Sequence, residues 1–131
     1  MLNLEFRDRQ FDGVVDVLSS THLPFDLHQR LYREVYRVLK PGGRFFSYHP
    51  GDRSYSFQHS GSTLYDQYTV TDIINERAPY SRNGLMCFLP LEECRRLLFE
   101  ADFNDVRIER IGRTYDDGQI YFEFLSVDAG K

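Results

Sequence analysis

An acidic residue, Asp16, stands inside the apolar run FDGVVDVL, flanked by Val14, Val15, Val17 and Leu18. Burying an ionised carboxylate there costs on the order of several kcal/mol unless it is paired. Asp16 is therefore bonded to loop amides or to an arginine, or it faces a bound molecule. His22 follows in the loop SSTHLPF, where a lone imidazole acts as a hydrogen-bonding group or as a base near neutral pH. His49 comes directly after RFFSY and beside Pro50, with Tyr48, Asp52 and Tyr55 near it in sequence, and it could reach an acceptor molecule. His28, near the start of a helix, is expected to be solvated, and His59, in a polar loop, exposed. Cys87 and Cys94 have neither CxxC spacing nor a paired-histidine motif beside them. No metal site or disulfide is expected from that pattern, only free, partly buried thiols.

These groups are positioned by a stretch from Leu27 to Tyr48. Leu27, Leu31, Val35, Val38 and Leu39 share one face of a 3.6-residue period, and Arg30, Arg33, Glu34 and Arg37 share the other. The ending VLKPGG predicts a stop: Lys40 complements the helix dipole, Pro41 cannot continue the helix, and Gly42-Gly43 accepts positive φ. Phe45 to Tyr48 is short, aromatic and bounded by His49-Pro50-Gly51, which reads as a strand. The earlier run from Phe11 to Leu18 is β-branched and too short for a lone helix, which reads as a buried strand. Strand, helix and strand form a parallel βαβ unit. In such sheets ligands sit beyond the carboxyl ends of the strands, which singles out Asp16 to Ser19 and Tyr48 to Asp52.

With 131 residues, eleven of them Phe and nine Tyr, the chain has material for one core, and a single domain over 1–131 is expected. A net charge of −4 argues against nucleic acid or anionic lipid as an electrostatically held partner. No run approaches the ~18 apolar residues of a membrane span and the first residues are too polar for a secretory signal, so a cytoplasmic protein is the default expectation.

The rest of the chain has weaker signals. Leu2, Leu4 and Phe6 alternate as in a short extended segment, and Asp26 is a plausible helix cap. Residues 50–89 form a long aromatic connection, more often a lid or substrate loop than a linker, with TDIINER (Thr71 to Arg77) as a short helix ended by Pro79. Its tyrosines could stack on a planar acceptor, although packing against the core is the favoured role. Pro90 to Ala101 reads as a second amphipathic helix through Leu91, Cys94, Leu97, Leu98 and Ala101. A strand around Val106 to Ile111, a turn at Asp116-Asp117-Gly118 and a strand QIYFEFLSV make a terminal hairpin.

FD-x-V-V with its H-L-P loop, RVLKPGGRF, and LPLEECRRLLFEADF ahead of a terminal hairpin together resemble the C-terminal half of a class I S-adenosylmethionine-dependent methyltransferase. The resemblance covers almost the whole chain. It implies an α/β, Rossmann-like sheet in which parallel strands are followed by an antiparallel hairpin. The family's strand order is 3-2-1-4-5-7-6, of which this chain would hold 4, 5, 6 and 7. The three-layer sandwich would be incomplete on its N-terminal side, because the family's glycine-rich loop and the acidic residue after its second strand have no counterpart here.

The resemblance places Asp16, Val17, Leu18 and Ser19 at the S-adenosylmethionine or acceptor side, and it matches His22 to a histidine common in the loop after that strand. Methyl transfer is an in-line displacement that mainly requires a held nucleophile and, for some substrates, a base. Asp16, His22 and His49 are the candidates for catalysis, and Tyr48, Asp52 and Tyr55 for substrate contact. The implied function is methyl transfer to a small molecule, with binding of the cofactor by this chain alone doubtful. The implied first strand is an apolar edge, an open template for pairing, so a homodimer or a chain supplying the missing half is the expected partner. The alternatives are a non-catalytic methyltransferase-like dimerisation or docking module, and a small-molecule binding domain without cofactor chemistry.

Overall fold

The computed structural model describes residues 3–131; the expectation for Leu2 lies outside them. The main sheet contains β1 (Phe11–Val17), β2 (Leu39–Pro50), β6 (Asn104–Tyr115) and β7 (Ile120–Gly130), in the order β1-β2-β7-β6. β1 and β2 are parallel, with Val14 beside Phe45 and Asp16 beside Ser47. β7 runs antiparallel to both β2 and β6. This is the order implied for the family's strands 4, 5, 7 and 6. β3 (Leu64–Asp66), β4 (Thr69–Val70) and β5 (Met86–Cys87) make a small separate sheet.

α1 (Phe25–Val38) and α3 (Leu91–Glu100) cover one sheet face; α2 (Tyr55–Gln58) is one short turn of helix. Tyr32, Val35, Leu39, Phe45, Leu98, Leu125 and Val127 form the core between helices and sheet. Each such burial contributes about 1.5–3 kcal/mol. The segment between β2 and α3 packs Val70, Ile73, Met86 and Phe88 against Phe122, and Phe57 and Tyr80 also meet aromatic partners there. Tyr65, by contrast, is 57% exposed. No described helix is long and apolar enough to cross a membrane.

Several local expectations need correction. α1 ends at Val38 rather than at Lys40, and Lys40 to Gly43 form an irregularity inside β2. Pro41 disfavours helical geometry at Lys40, so the helix stops earlier. Gly42 takes φ +81°, and Gly43 packs where a Cβ would lie 2.8 Å from the Lys40 carbonyl. Asp26 does not cap α1. The helix begins after Pro24, and its first amides donate to Thr69 Oγ1 and Asp66 Oδ2 from the distant small-sheet segment.

Thr71 to Arg77 is not helical. Asp72 accepts instead from the amides of Ile73 and Gly84, the local side-chain competition that makes Asp a poor helix former. β1 is not a buried strand: Val15 is 69% and Val17 51% exposed, because no described strand pairs with its outer edge and nothing described covers that face. His28 is fully buried rather than solvated. It lies on the Tyr32–Val35 face of α1, where its four-residue spacing from Tyr32 would have placed it.

Candidate functional site

The carboxyl end of β1 leads into a tight turn. Leu18 adopts φ 65°, and its amide donates to the Tyr48 carbonyl, tying the ends of the two parallel strands together. A short 3-10 turn, Ser19–His22, follows. Asp16 is half-buried and accepts from the Ser20 amide at 3.1 Å and from the Ser20 hydroxyl. The loop-amide role considered for Asp16 is thus realised. Asp16 nevertheless also lines a groove of about 210 Å³ with Leu4, Val14, Ser19, Leu31 and Val35.

The other candidates divide between the two sheet faces. Val17 lies on the open face, beside Tyr48, whose ring stacks on Phe124 at 4.5 Å. His22 is exposed, and its Nδ1 donates to the Leu85 carbonyl at 2.8 Å, holding the turn to the segment before β5. Tyr55 accepts from Asn75 and lies against His59, while Asp52 is half-buried with one carboxylate oxygen lacking a partner among the described residues. Asp16, Val17, Leu18, Ser19 and Tyr48 are brought together at the strand ends; Asp52 and Tyr55 belong to the segment beyond.

His49 is 1% exposed, on the helix-covered face, with its ring centroid 5.2 Å from that of His28. Burial and the neighbouring His28 lower its pKa to about 3, and burial also lowers that of His28, so both rings are neutral. Burial raises the Cys87 thiol and pushes Cys94, beside the Tyr32 hydroxyl, up to about 12. Sequence reasoning missed a further buried group. Glu123, fully buried in β7, accepts from Arg110 at 2.7 Å, from the Tyr121 hydroxyl and from the Arg53 amide. Its apolar sequence neighbours gave no signal of these distant partners.

The sequence model described as "Methyltransferase domain" matches residues 1–47. A 24-methylenesterol C-methyltransferase 2 of Oryza sativa subsp. japonica is 45% identical over 47 residues, 36% of this chain and 12% of that protein. The methyltransferase phqN of Penicillium fellutanum is 47% identical over 47 residues, 14% of its length. The matches thus span a small part of these curated relatives. A solved S-adenosylmethionine-dependent methyltransferase of Methanosarcina mazei superposes with a TM-score of 0.71 at 19% identity, over 99% of this chain and 63% of that one. A Burkholderia thailandensis 1,6-didemethyltoxoflavin-N1-methyltransferase, solved with bound 1,6-didemethyltoxoflavin and S-adenosylhomocysteine, gives 0.60 at 18% identity, over 99% of this chain and 48% of that one.

The described residues by themselves do not fit the cofactor this fold implies. The groove beside Asp16 is smaller than the roughly 300–1,000 Å³ of small-molecule sites. Its one carboxylate is already engaged by Ser20, and the positive-φ glycines, Gly42, Gly61, Gly84 and Gly118, all come after β1. Residues 1–47 are thus similar in sequence to a methyltransferase domain, and the described residues share the fold of solved S-adenosylmethionine-dependent methyltransferases.

Proposed function

We propose that the chain is the C-terminal portion of an S-adenosylmethionine-dependent methyltransferase acting on a small molecule, with the rest of the cofactor pocket supplied by a preceding segment or a partner chain. The observation that carries this reading is the apolar groove beside Asp16 and Ser19, at the carboxyl end of a parallel strand whose outer edge has no described partner. Ligand sites of open α/β sheets form at such strand ends.

In this reading Asp16 to Ser19 contact the cofactor, and Tyr48, Asp52 and Tyr55 belong to the acceptor side. Exposed His22 is better placed as a base than buried His49. Residues 50–89 act as the substrate loop. The sterol specificity of the plant relative is not carried over, because the family match ends at residue 47, before that loop begins.

Calorimetry with S-adenosylmethionine and S-adenosylhomocysteine, on the 131-residue chain alone and with any co-purifying partner, tests the assignment. Heat of binding is expected with the partner and little or none without it. Absence of heat in both arms would overturn it. A non-catalytic dimerisation module would then be favoured, the reading supported by the exposure of Val15, Val17 and Phe46 on the uncovered sheet face. Light scattering distinguishes a dimer from a monomer in the same samples.

A further inference from the structure

Three polar side chains meet in the interior where α1, the end of β2 and β5 converge. His28 and Cys87 are fully buried and His49 is 1% exposed, and one ligand atom from each lies within 4.8 Å of the others. They come from segments far apart in the chain, which is why no sequence spacing announced them.

Hydrogen bonding decides the tautomer of both rings. His28 Nδ1 lies 3.0 Å from the Pro24 carbonyl and His49 Nδ1 lies 2.9 Å from the Pro50 carbonyl. A carbonyl oxygen only accepts, so each Nδ1 carries the proton and each Nε2 presents a lone pair. Both Nε2 atoms are buried and have no partner among the described residues. The single Cys87 S–H could satisfy at most one of them. A buried acceptor left unpaired is destabilising, so the arrangement calls for something that accepts electron pairs from both rings.

We propose that His28 Nε2, His49 Nε2 and Cys87 Sγ form a binding site for a zinc ion. Imidazole nitrogen and thiolate are the donors zinc prefers, and a ring whose other nitrogen donates to a backbone carbonyl is the usual form of a metal-bound histidine. Donors around tetrahedral zinc lie roughly 3.3–3.6 Å apart, so atoms that lie within 4.8 Å of one another need to draw in by at most about 1.5 Å. On binding, the Cys87 thiol proton leaves to solvent and the thiolate coordinates the ion. A fourth position is left for water or an oxygen ligand. Because Cys87 belongs to the small sheet and the two histidines to the main unit, the ion ties residues 50–89 to α1 and β2.

The test uses the full 131-residue chain without a histidine tag, freed of metal by chelation and titrated with Zn²⁺ and with Co²⁺ as a spectroscopic probe. One equivalent per chain is expected, together with a thiolate-to-cobalt charge-transfer band and a rise in Tm. Cys94→Ser should keep the band, while Cys87→Ser and His28→Gln should lose stoichiometric uptake. Because the chain has only two cysteines, the band in Cys94→Ser assigns the thiolate even if the Cys87 variant fails to fold. A folded wild-type chain that takes up neither ion, or a band that survives in Cys87→Ser, would overturn the proposal. Neither result depends on whether S-adenosylmethionine binds.

Discussion

Glu123 and Asp16 show how single carboxylates are held in apolar surroundings. Arg110, 27% exposed at its side chain, supplies the charge partner of a carboxylate that has no access to water. Arg110→Met should therefore destabilise the chain by ~3 kcal/mol in urea titration, since it strands a buried charge. The same packing makes Gly51 intolerant of a side chain, because a Cβ there would overlap the Glu123 carboxylate. Gly51→Ala should cost about 2 kcal/mol, read in the same titration. Asp16 caps the turn after β1 through Ser20. Removing it in Asp16→Ala should cost ~1 kcal/mol in stability. Asp16→Asn separates the ligand role from that structural one. If ligand binding is unchanged in the Asp16→Asn variant, the carboxylate has no part in the site.

At the scale of elements, α1 organises the segments on either side of it. Arg37 donates to the carbonyls of Leu4 and Phe6 and to Asp8, and Glu34 accepts from the Leu4 amide, so these two residues lay residues 4–8 along the helix. Loss of this clamp in Arg37→Met should raise amide exchange at residues 4–10 while leaving β6 and β7 protected, measured by hydrogen exchange. Hydrogen bonds from Arg37 hold the Glu34 carboxyl below its ordinary value of 4.5. The contribution of this pair is therefore complete above about pH 4.5 and is lost as pH falls through the lowered folded value. The acid-induced rise in exchange at residues 4–10 should begin only below that point, and in Glu34→Gln it should lose its pH dependence.

Taken as a whole molecule, the main sheet has one face covered by helices and a second that residues 50–89 cover only toward β7, at Phe122. α1 and α3 cover the first, while Val15, Val17 and Phe46 remain 69%, 51% and 39% exposed on the second, beside a strand edge with no described partner. Contiguous apolar surface next to a free edge is a template for association. Val15→Lys should change unfolding stability by no more than ~0.5 kcal/mol, as surface replacements do. It should also abolish any dimer seen by light scattering. A dimer that persists in this variant would show that association uses another surface.

The amino-acid sequence alone determined the elements whose signals are local. The period of α1, the apolar runs of the strands and the Asp116-Asp117-Gly118 turn located these elements, while the sheet order β1-β2-β7-β6 was implied by the resemblance to class I methyltransferases. Only the tertiary structure decided what depends on partners distant along the chain. Thr69 and Asp66 take the capping role that Asp26 had been expected to fill, and Arg110 neutralises Glu123. His28, His49 and Cys87 converge from three segments. Hydrophobic periodicity records which face of an element is buried. It does not record which polar side chain another segment will bring to that face, and every buried polar group takes its meaning from that second residue.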